Sequence, residues 1–250
     1  CIRDTAYIYW AMTADSSIID ARAVSETETI SRTLTVYDGH AFIGGGRLLP
    51  DTLIVKEHGE STAGVEDTDY TVDYTDDLLT IELKGALADA TSLDITITRT
   101  LEGCVKIVPL LEGGAVPDES ILEKVLEACN ASDIRPLTDV VTAVAPEVIT
   151  YDIEIVYYTT AETEAEVVAN VEGTDGAIDR YNEWQVGALG RDINPDQLRK
   201  RILCPSWGEN LTGAFRVDVT KPVYTPVSDT QVAKFSGHLT VSHKTESEVV

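Results

Sequence analysis

Residues 181–195 read Y-N-E-W-Q-V-G-A-L-G-R-D-I-N-P, and this stretch sets the organisation of the second half of the chain. Ile178, Tyr181, Trp184, Gln185 and Ala188 recur at helical spacing, so the segment begins as a helix with one apolar stripe. Gly190 is placed to stop that helix, because glycine alone enters the left-handed cap conformation without a steric cost. Asn194 then supplies an N-cap oxygen and Pro195 a first-turn residue whose missing N–H costs the next helix nothing. The stretch therefore predicts two helices joined by a tight corner. Upstream, Val167, Val171, Thr174, Ile178, Tyr181 and Ala188 keep to a single stripe. That periodicity predicts one long helix, although Gly173 and Gly176 each cost it about 1 kcal/mol relative to Ala.

Working outward, Ile149–Thr159 alternates as a strand, Pro195–Leu203 is a short helix, and Ala214–Thr220 and Val232–Val241 alternate again. The order is β-α-α-β-β, a sheet with its helices on one face. Leu34–Thr100 has a different character, rich in Thr, Val, Ile and Asp, with period-two runs broken by Gly and Asp turns; Asp76-Asp77 reads as a hairpin corner. Segments on either side of it read as parts of one other unit: Ala21–Val24 before, then Val105–Leu111, a helix from Asp118 to Asn130, and Val140–Val144. Ile121, Leu122, Val125, Leu126 and Cys129 form that helix's apolar stripe. The predicted fold class is α+β. Residues 1–28 with 103–147 form a discontinuous α/β domain, 29–102 an inserted all-β module, and 148–250 a β-α-α-β-β C-terminal domain.

With 250 residues, 43% hydrophobic and 25% charged, the chain is expected to fold into two or three soluble domains. Nineteen Lys and Arg against 43 Asp and Glu give a formal net charge of -24, which repels nucleic acid and anionic membranes. The acidic residues are spread along the chain and read as a solvated surface. Cys1, Cys104, Cys129 and Cys204 lack C-x-x-C spacing, which fits a reducing compartment, and Cys129 on its apolar stripe reads as a small buried hydrophobe. No apolar run approaches the roughly 18 residues that span a bilayer, and the start has no signal-peptide pattern. The missing initiator Met implies that the sequence begins inside a longer gene product.

Motifs that carry chemistry are scarce. Glycines 44–46 lack the Gly-Lys-Ser/Thr ending of a phosphate loop and read as a hairpin turn. Asp67, Asp69 and Asp73 lack the glycine and terminal glutamate of a calcium loop, and His40, His58, His238 and His243 have no metal-ligand spacing. There is no G-x-S-x-G elbow. The reading is of a non-enzymatic chain without a cofactor or metal. A carbohydrate-binding or adhesin role for the β module is the alternative, resting on Tyr37, Phe42, Tyr70 and Tyr74.

Three stretches carry a family resemblance, in order. They are A-Y-I-Y-W-A-M-T-A-D-S-S-I-I-D from Ala6 to Asp20, D-I-R-P-L-T-D-V-V from Asp133 to Val141, and the block from Trp184 to Pro195. Together they resemble the baseplate J-like proteins of contractile phage tails, prophages and phage-tail-like injection particles. The chain departs from that pattern in lacking the region preceding the first stretch and in holding the β module between Glu28 and Gly103. The resemblance implies a structural baseplate wedge component that pairs with itself and with other wedge or hub proteins and couples host contact to sheath contraction. It implies synthesis in the bacterial cytoplasm and residence in the tail baseplate. The candidate structural and interface residues it singles out are Tyr7, Trp10, Asp15, Asp20, Asp133, Arg135, Pro136, Asp139, Tyr181, Trp184, Gln185, Gly190, Arg191, Asp192 and Asn194. In the middle stretch, Pro136 forces Arg135 out of the helical region, and Asp133 and Asp139 lie within reach of its guanidinium, so the segment reads as a rigid corner. Boundaries near Glu28, Gly103 and Pro146 are where hinges are expected.

Overall fold

The computed structural model describes residues 2–75, 77–131, 139–203 and 212–246. By internal contacts the chain divides into two compact units. One comprises Cys1–Ala23, Ile107–Arg135 and Val141–Val250; the other comprises Val24–Lys106 with Pro136–Val140. Helices and several sheets make it an α+β protein.

The second unit is a small β-sandwich. Its strands are most of β1 (Ile18–Thr35), β2 (His40–Gly44), β3 (Leu48–Glu57), β4 (Tyr70–Thr75), β5 (Leu78–Leu83) and most of β6 (Ser92–Leu111). β6 lies between β1 and β3 in one sheet, and β5 lies between β2 and β4 in the other. Period-two alternation explains the packing: Leu79, Ile81 and Leu83 of β5 and Leu93, Ile95 and Ile97 of β6 point into one shared core with Ile43, Val55 and Tyr70. On the outer face, β1 and β6 are laced together by Thr29–Thr98, Ser31–Thr96 and Thr33–Asp94 hydrogen bonds, and a two-pronged Arg99–Glu28 pair at 2.8 and 3.0 Å joins the same two strands on the opposite parity. β4 and β5 form the expected hairpin, with Thr75 opposite Leu78 and Asp77 at φ 61°; Asp76 lies outside the described residues. The Gly45-Gly46 turn does not close a hairpin. With φ of 106° and 75°, it carries the chain from β2 in one sheet to β3 in the other.

In the first unit, α1 (Ile2–Thr13) packs on α2 (Glu119–Asn130). Asp118 caps α2 by accepting the Ile121 N–H at 3.0 Å. Val125 and Cys129 are fully buried, and the Cys129 thiol donates to the Tyr7 carbonyl at 3.8 Å. Burial pushes that thiol up to about 11, so it stays a neutral hydrophobe. β7 (Val140–Ala143) pairs with β6.

The remainder is a three-stranded sheet of β8 (Glu147–Thr159) between β9 (Arg216–Lys221), antiparallel, and β10 (Gln231–Thr245), parallel. Three helices cover one face: α3 (Glu164–Glu172), α4 (Ala177–Val186) and α5 (Pro195–Leu203). Tyr151, Ile153, Ile155 and Tyr157 alternate inward from β8 against Val167, Val171, Ile178, Tyr181, Leu198 and Ile202.

The single long helix expected from the 167–188 stripe is two helices, which makes the succession β-α-α-α-β-β. The chain turns at residues 173–176, where Asp175 sits at φ 59° and a Cβ on Gly176 would fall 2.7 and 2.8 Å from the Gly173 and Val171 carbonyl oxygens. The two glycines are there because the turn closes on its own backbone, and the stripe persists because both helices pack on the same sheet.

Because Glu28 and Arg99 stand opposite each other on β1 and β6, joining them directly by a short Asn-Gly type turn should seal the paired strands. With Thr29–Thr98 so replaced, the remaining chain is expected to unfold cooperatively, with its melting temperature within about 5 °C of the intact protein. Circular dichroism melts test this; a broad, non-cooperative transition would show that the sandwich is part of the other unit's core.

Candidate functional site

The connection between α4 and α5, residues 187–194, brings together most of the sequence-predicted residues of the C-terminal half. Leu189 and Ile193 are each only 2% exposed, so the backbone polar groups carried inward with them require partners. Those partners come from distant parts of the chain. Asp20 Oδ2 accepts the Leu189 N–H at 2.9 Å, and Arg22 donates to the Leu189 carbonyl at 3.2 Å. Asp20 Oδ1 and Arg22 are themselves paired at 2.7 Å, so β1 holds both backbone polar groups of Leu189. Next, the Gly190 N–H donates to the Gln231 carbonyl at 2.9 Å, and Gln185 Nε2 donates to the carbonyls of Arg191 and Asp192 at 2.8 and 3.3 Å. Ile193 and Thr225 exchange both backbone bonds at 3.0 Å.

Gly190 has a different role from the one its spacing suggests. α4 ends at Val186 with Gly187 as its cap, and Gly190 lies three residues further on at φ 68°. A Cβ there would sit 2.9 Å from the Asp229 carboxylate and 3.1 Å from its Cα, so the site needs glycine for both its angle and its closeness. Asn194 caps α5 as expected, accepting the Asp196 N–H at 2.9 Å.

Trp184 is partly buried on the flank of α4, against the core. The guanidinium carbons of Arg191 and Arg201 lie 4.4 and 4.7 Å from its ring centroid, an arrangement in which the ring quadrupole attracts both cations. Burial lowers the Arg191 guanidinium, and the charge of Asp20 works against that. Tyr181 is fully buried, 5.8 Å from Tyr151 and 6.1 Å from Trp184 by ring centroids, and burial pushes its phenol up to about 12. Asp192 accepts the Val227 N–H at 2.9 Å and the Tyr224 hydroxyl at 2.7 Å, which together hold its carboxyl below the ordinary value of 3.8.

The N-terminal candidates form a second cluster. Tyr7 is buried between α1 and α2, and Trp10 is half-buried with its ring edge-on to exposed Tyr9 at 5.1 Å. Asp15 closes the turn after α1. It accepts from Lys124 of α2 at 2.6 Å and from the Ser17 N–H and hydroxyl at 3.0 and 2.7 Å, which hold its carboxyl well below the usual range. Asp139 is 2% exposed. Asp133, Arg135 and Pro136 lie outside the described residues, and with them the proposed corner.

Sequence reasoning missed Arg22, Gln231, Thr225, Tyr224 and Arg201, the partners of the quoted loop. Arg22 had a signal, since it stands two residues from Asp20 on one strand and so shares its face. The others had none, because each acts from a remote segment. In the β module, Tyr70 is buried at 4% and Tyr74 donates to Asp77 at 3.1 Å while accepting the Leu48 N–H, which leaves Tyr37 and Phe42 as the exposed aromatics of the four. Asp69 spends its carboxylate on the Val65 and Ala86 N–H groups. Among the described residues no group of three or more His, Cys, Asp or Glu is placed to hold a metal, and no helix is long and apolar enough to cross a membrane.

Residues 88–145 match the baseplate J-like central domain. That region runs from the strand β6 through α2 to β7, and of the three stretches that carry the resemblance it contains the middle one. Baseplate protein J of Escherichia phage P2 is 28% identical over 154 residues, 60% of this chain and 47% of that protein. The chain thus spans about half the length of the curated relative it matches. Among solved structures, the fimbrial protein FimP from Actonomyces oris is similar at 14% identity over 60% of this chain and 39% of that one, with a TM-score of 0.22.

Asp20→Ala removes the acceptor of a buried N–H and the partner of Arg22, and should cost about 2–3 kcal/mol in urea unfolding, with Asp20→Asn recovering part of it. A loss below about 0.5 kcal/mol would mean that the loop holds without the clamp. Asp192 and Asp15 have depressed folded-state values, so their stabilisation is present above the ordinary 3.8 and is lost as pH falls below it. Melting temperature should therefore drop on acidification below about pH 4, and less steeply in an Asp15→Asn, Asp192→Asn double variant.

Proposed function

We propose that this chain, similar over residues 88–145 to the baseplate J-like central domain, is a structural part of a phage tail baseplate or a phage-tail-like particle. The observation that carries the reading is this match together with the likeness to baseplate protein J of phage P2. In finer terms, it acts as a wedge component, pairing with itself and with other wedge or hub proteins, and it passes host contact to sheath contraction through its interfaces. No catalytic step belongs to this role. The protein is made in the bacterial cytoplasm and resides in the assembled tail.

Such a part must keep its shape under load, and the fastened 187–194 loop supports that requirement. Loops held only by water open at little cost, whereas this one cannot open without exposing Leu189 and Ile193 and stranding Asp20, Arg22 and Gln185. We take the Trp184–Asp192 block as a shape-setting element, the Arg135-Pro136 corner as its counterpart, and residues 29–102 as an inserted module whose sandwich core is its own.

The test is location. An epitope tag in the exposed turn at Gly45, in the parent gene, should bring immunogold label to the baseplate end of purified contractile particles. Deleting the parent gene should abolish those particles, and the tagged gene should restore them. Label that stays in the particle-free fraction while particles assemble normally would refute the structural reading.

A further inference from the structure

The cations of this acidic chain are unevenly placed. Residues 180–201 hold five of the 19 Lys and Arg against three carboxylates, whereas residues 57–77 hold eight carboxylates and no Lys or Arg. In the first segment the cations gather around one aromatic ring. Arg191 and Arg201 stand against Trp184, and Arg180 lies one helical turn before Trp184 on the same flank of α4. Lys200 is exposed beside Arg201 at the end of α5. Arg199 is engaged with Asp196 at 2.6 Å and adds little. A partly buried Trp framed by Arg is the composition that dominates binding energy at protein interfaces, because the ring and the planar guanidiniums present area with little motion left to lose.

The complementary stretch covers the end of β3, the loop to β4 and the β4–β5 turn. Glu57, Glu60 and Asp69 line a cavity there of about 260 Å³ floored by Leu87, and Glu66 and Asp67 are exposed beside it. We infer that the Arg-framed Trp184 face of one copy docks on the 57–77 stretch of a second copy, head to tail. The inference rests on the self-pairing in the functional reading above and names its surfaces. Net charge decides the partner's class: a chain at -24 turns away nucleic acid and anionic lipid, but every further copy brings the acidic stretch that this basic face lacks. Because the two faces differ, the contact leaves a free basic face at one end and a free acidic stretch at the other. Repetition then gives a ring if the rotation closes and a filament if it does not.

Two whole molecules of this charge also repel each other, and screening separates the two effects. At about 10 mM salt the Debye length of ~30 Å lets distant carboxylates oppose approach; near 150 mM, at ~8 Å, only the facing patches interact; at about 1 M, ~3 Å, these are screened as well. Self-association of the 250-residue chain, followed by sedimentation velocity, should therefore peak at intermediate salt. At about 150 mM, Arg180→Glu with Lys200→Glu, or Glu60→Lys with Glu66→Lys, should each weaken it by about tenfold or more. An equimolar mixture of the two variants should restore association, since it keeps one intact basic face and one intact acidic stretch and sets the introduced Glu pair against the introduced Lys pair. Thermal melts confirm that the variants fold; should either fail, Lys200→Gln and Glu66→Gln make the same comparison. A wild-type chain that stays monomeric throughout, variants that associate as the wild type does, or a mixture without recovery would each overturn this contact. None of these results bears on the gold-label test, so the baseplate role stands or falls separately.

Discussion

A loop that buries side chains must satisfy the backbone it carries inward with them, and in this protein residues 187–194, with Leu189 and Ile193 buried, do so by drawing on residues 20, 22, 185, 225 and 231. The Asp20–Arg22 pair is the centre of that arrangement. It meets both backbone polar groups of Leu189, with a carboxylate on the N–H and a guanidinium on the carbonyl, and so ties the start of β1 to the corner between α4 and α5. Leu189, held there, packs with Val108 and Leu110 of β6 and Val232 of β10 in a small core contributed by two further segments. Each partner is useless alone. An Asp without the Leu189 N–H is a partly desolvated charge, and a Leu189 without Asp20 is an unsatisfied buried donor, so the arrangement forms together or not at all.

The sequence announced this region by local signals and hid it in the non-local ones. Asn194-Pro195 showed the start of α5 because capping is a transaction among residues two or three apart. Asp118 and the α2 stripe were legible for the same reason. The break at 173–176 was not, because two helices lying on one sheet keep their apolar residues in a common phase, and periodicity alone does not reveal a turn between them. Gly190 looked like a helix stop; its real constraint is the backbone of Asp229, which is nearly forty residues away. Partners such as Gln231 and Thr225 act through main-chain groups, which do not depend on the side chain, so their identity carries no signal.

The β-sandwich shows the opposite balance. Its strands follow from alternation, its turns from Gly and Asp, and its core from the inward set of each strand. What alternation could not decide was which strands share a sheet. The Gly44–Gly46 run reads as a hairpin, yet β2 and β3 part there into opposite sheets, because pairing depends on which neighbours complete each sheet and not on the turn that joins them.

The parallel pairing of β10 with β8 has a consequence for biosynthesis. Gln231 meets Glu147 across a sheet whose two strands are separated by three helices and β9, so the central strand of this core waits for almost the last described segment of the chain. On the ribosome, at about 5–20 residues per second, β8 spends several seconds with one long edge uncovered before β10 emerges to close it. During that interval the α3–α5 layer has Ile153, Ile155 and Tyr157 to rest on but lacks Ala233 and Phe235, and the Leu189 core is without Val232. Non-local pairing of this kind forms late and slowly, so the interval before release is when this chain is most open to pairing with the wrong neighbour.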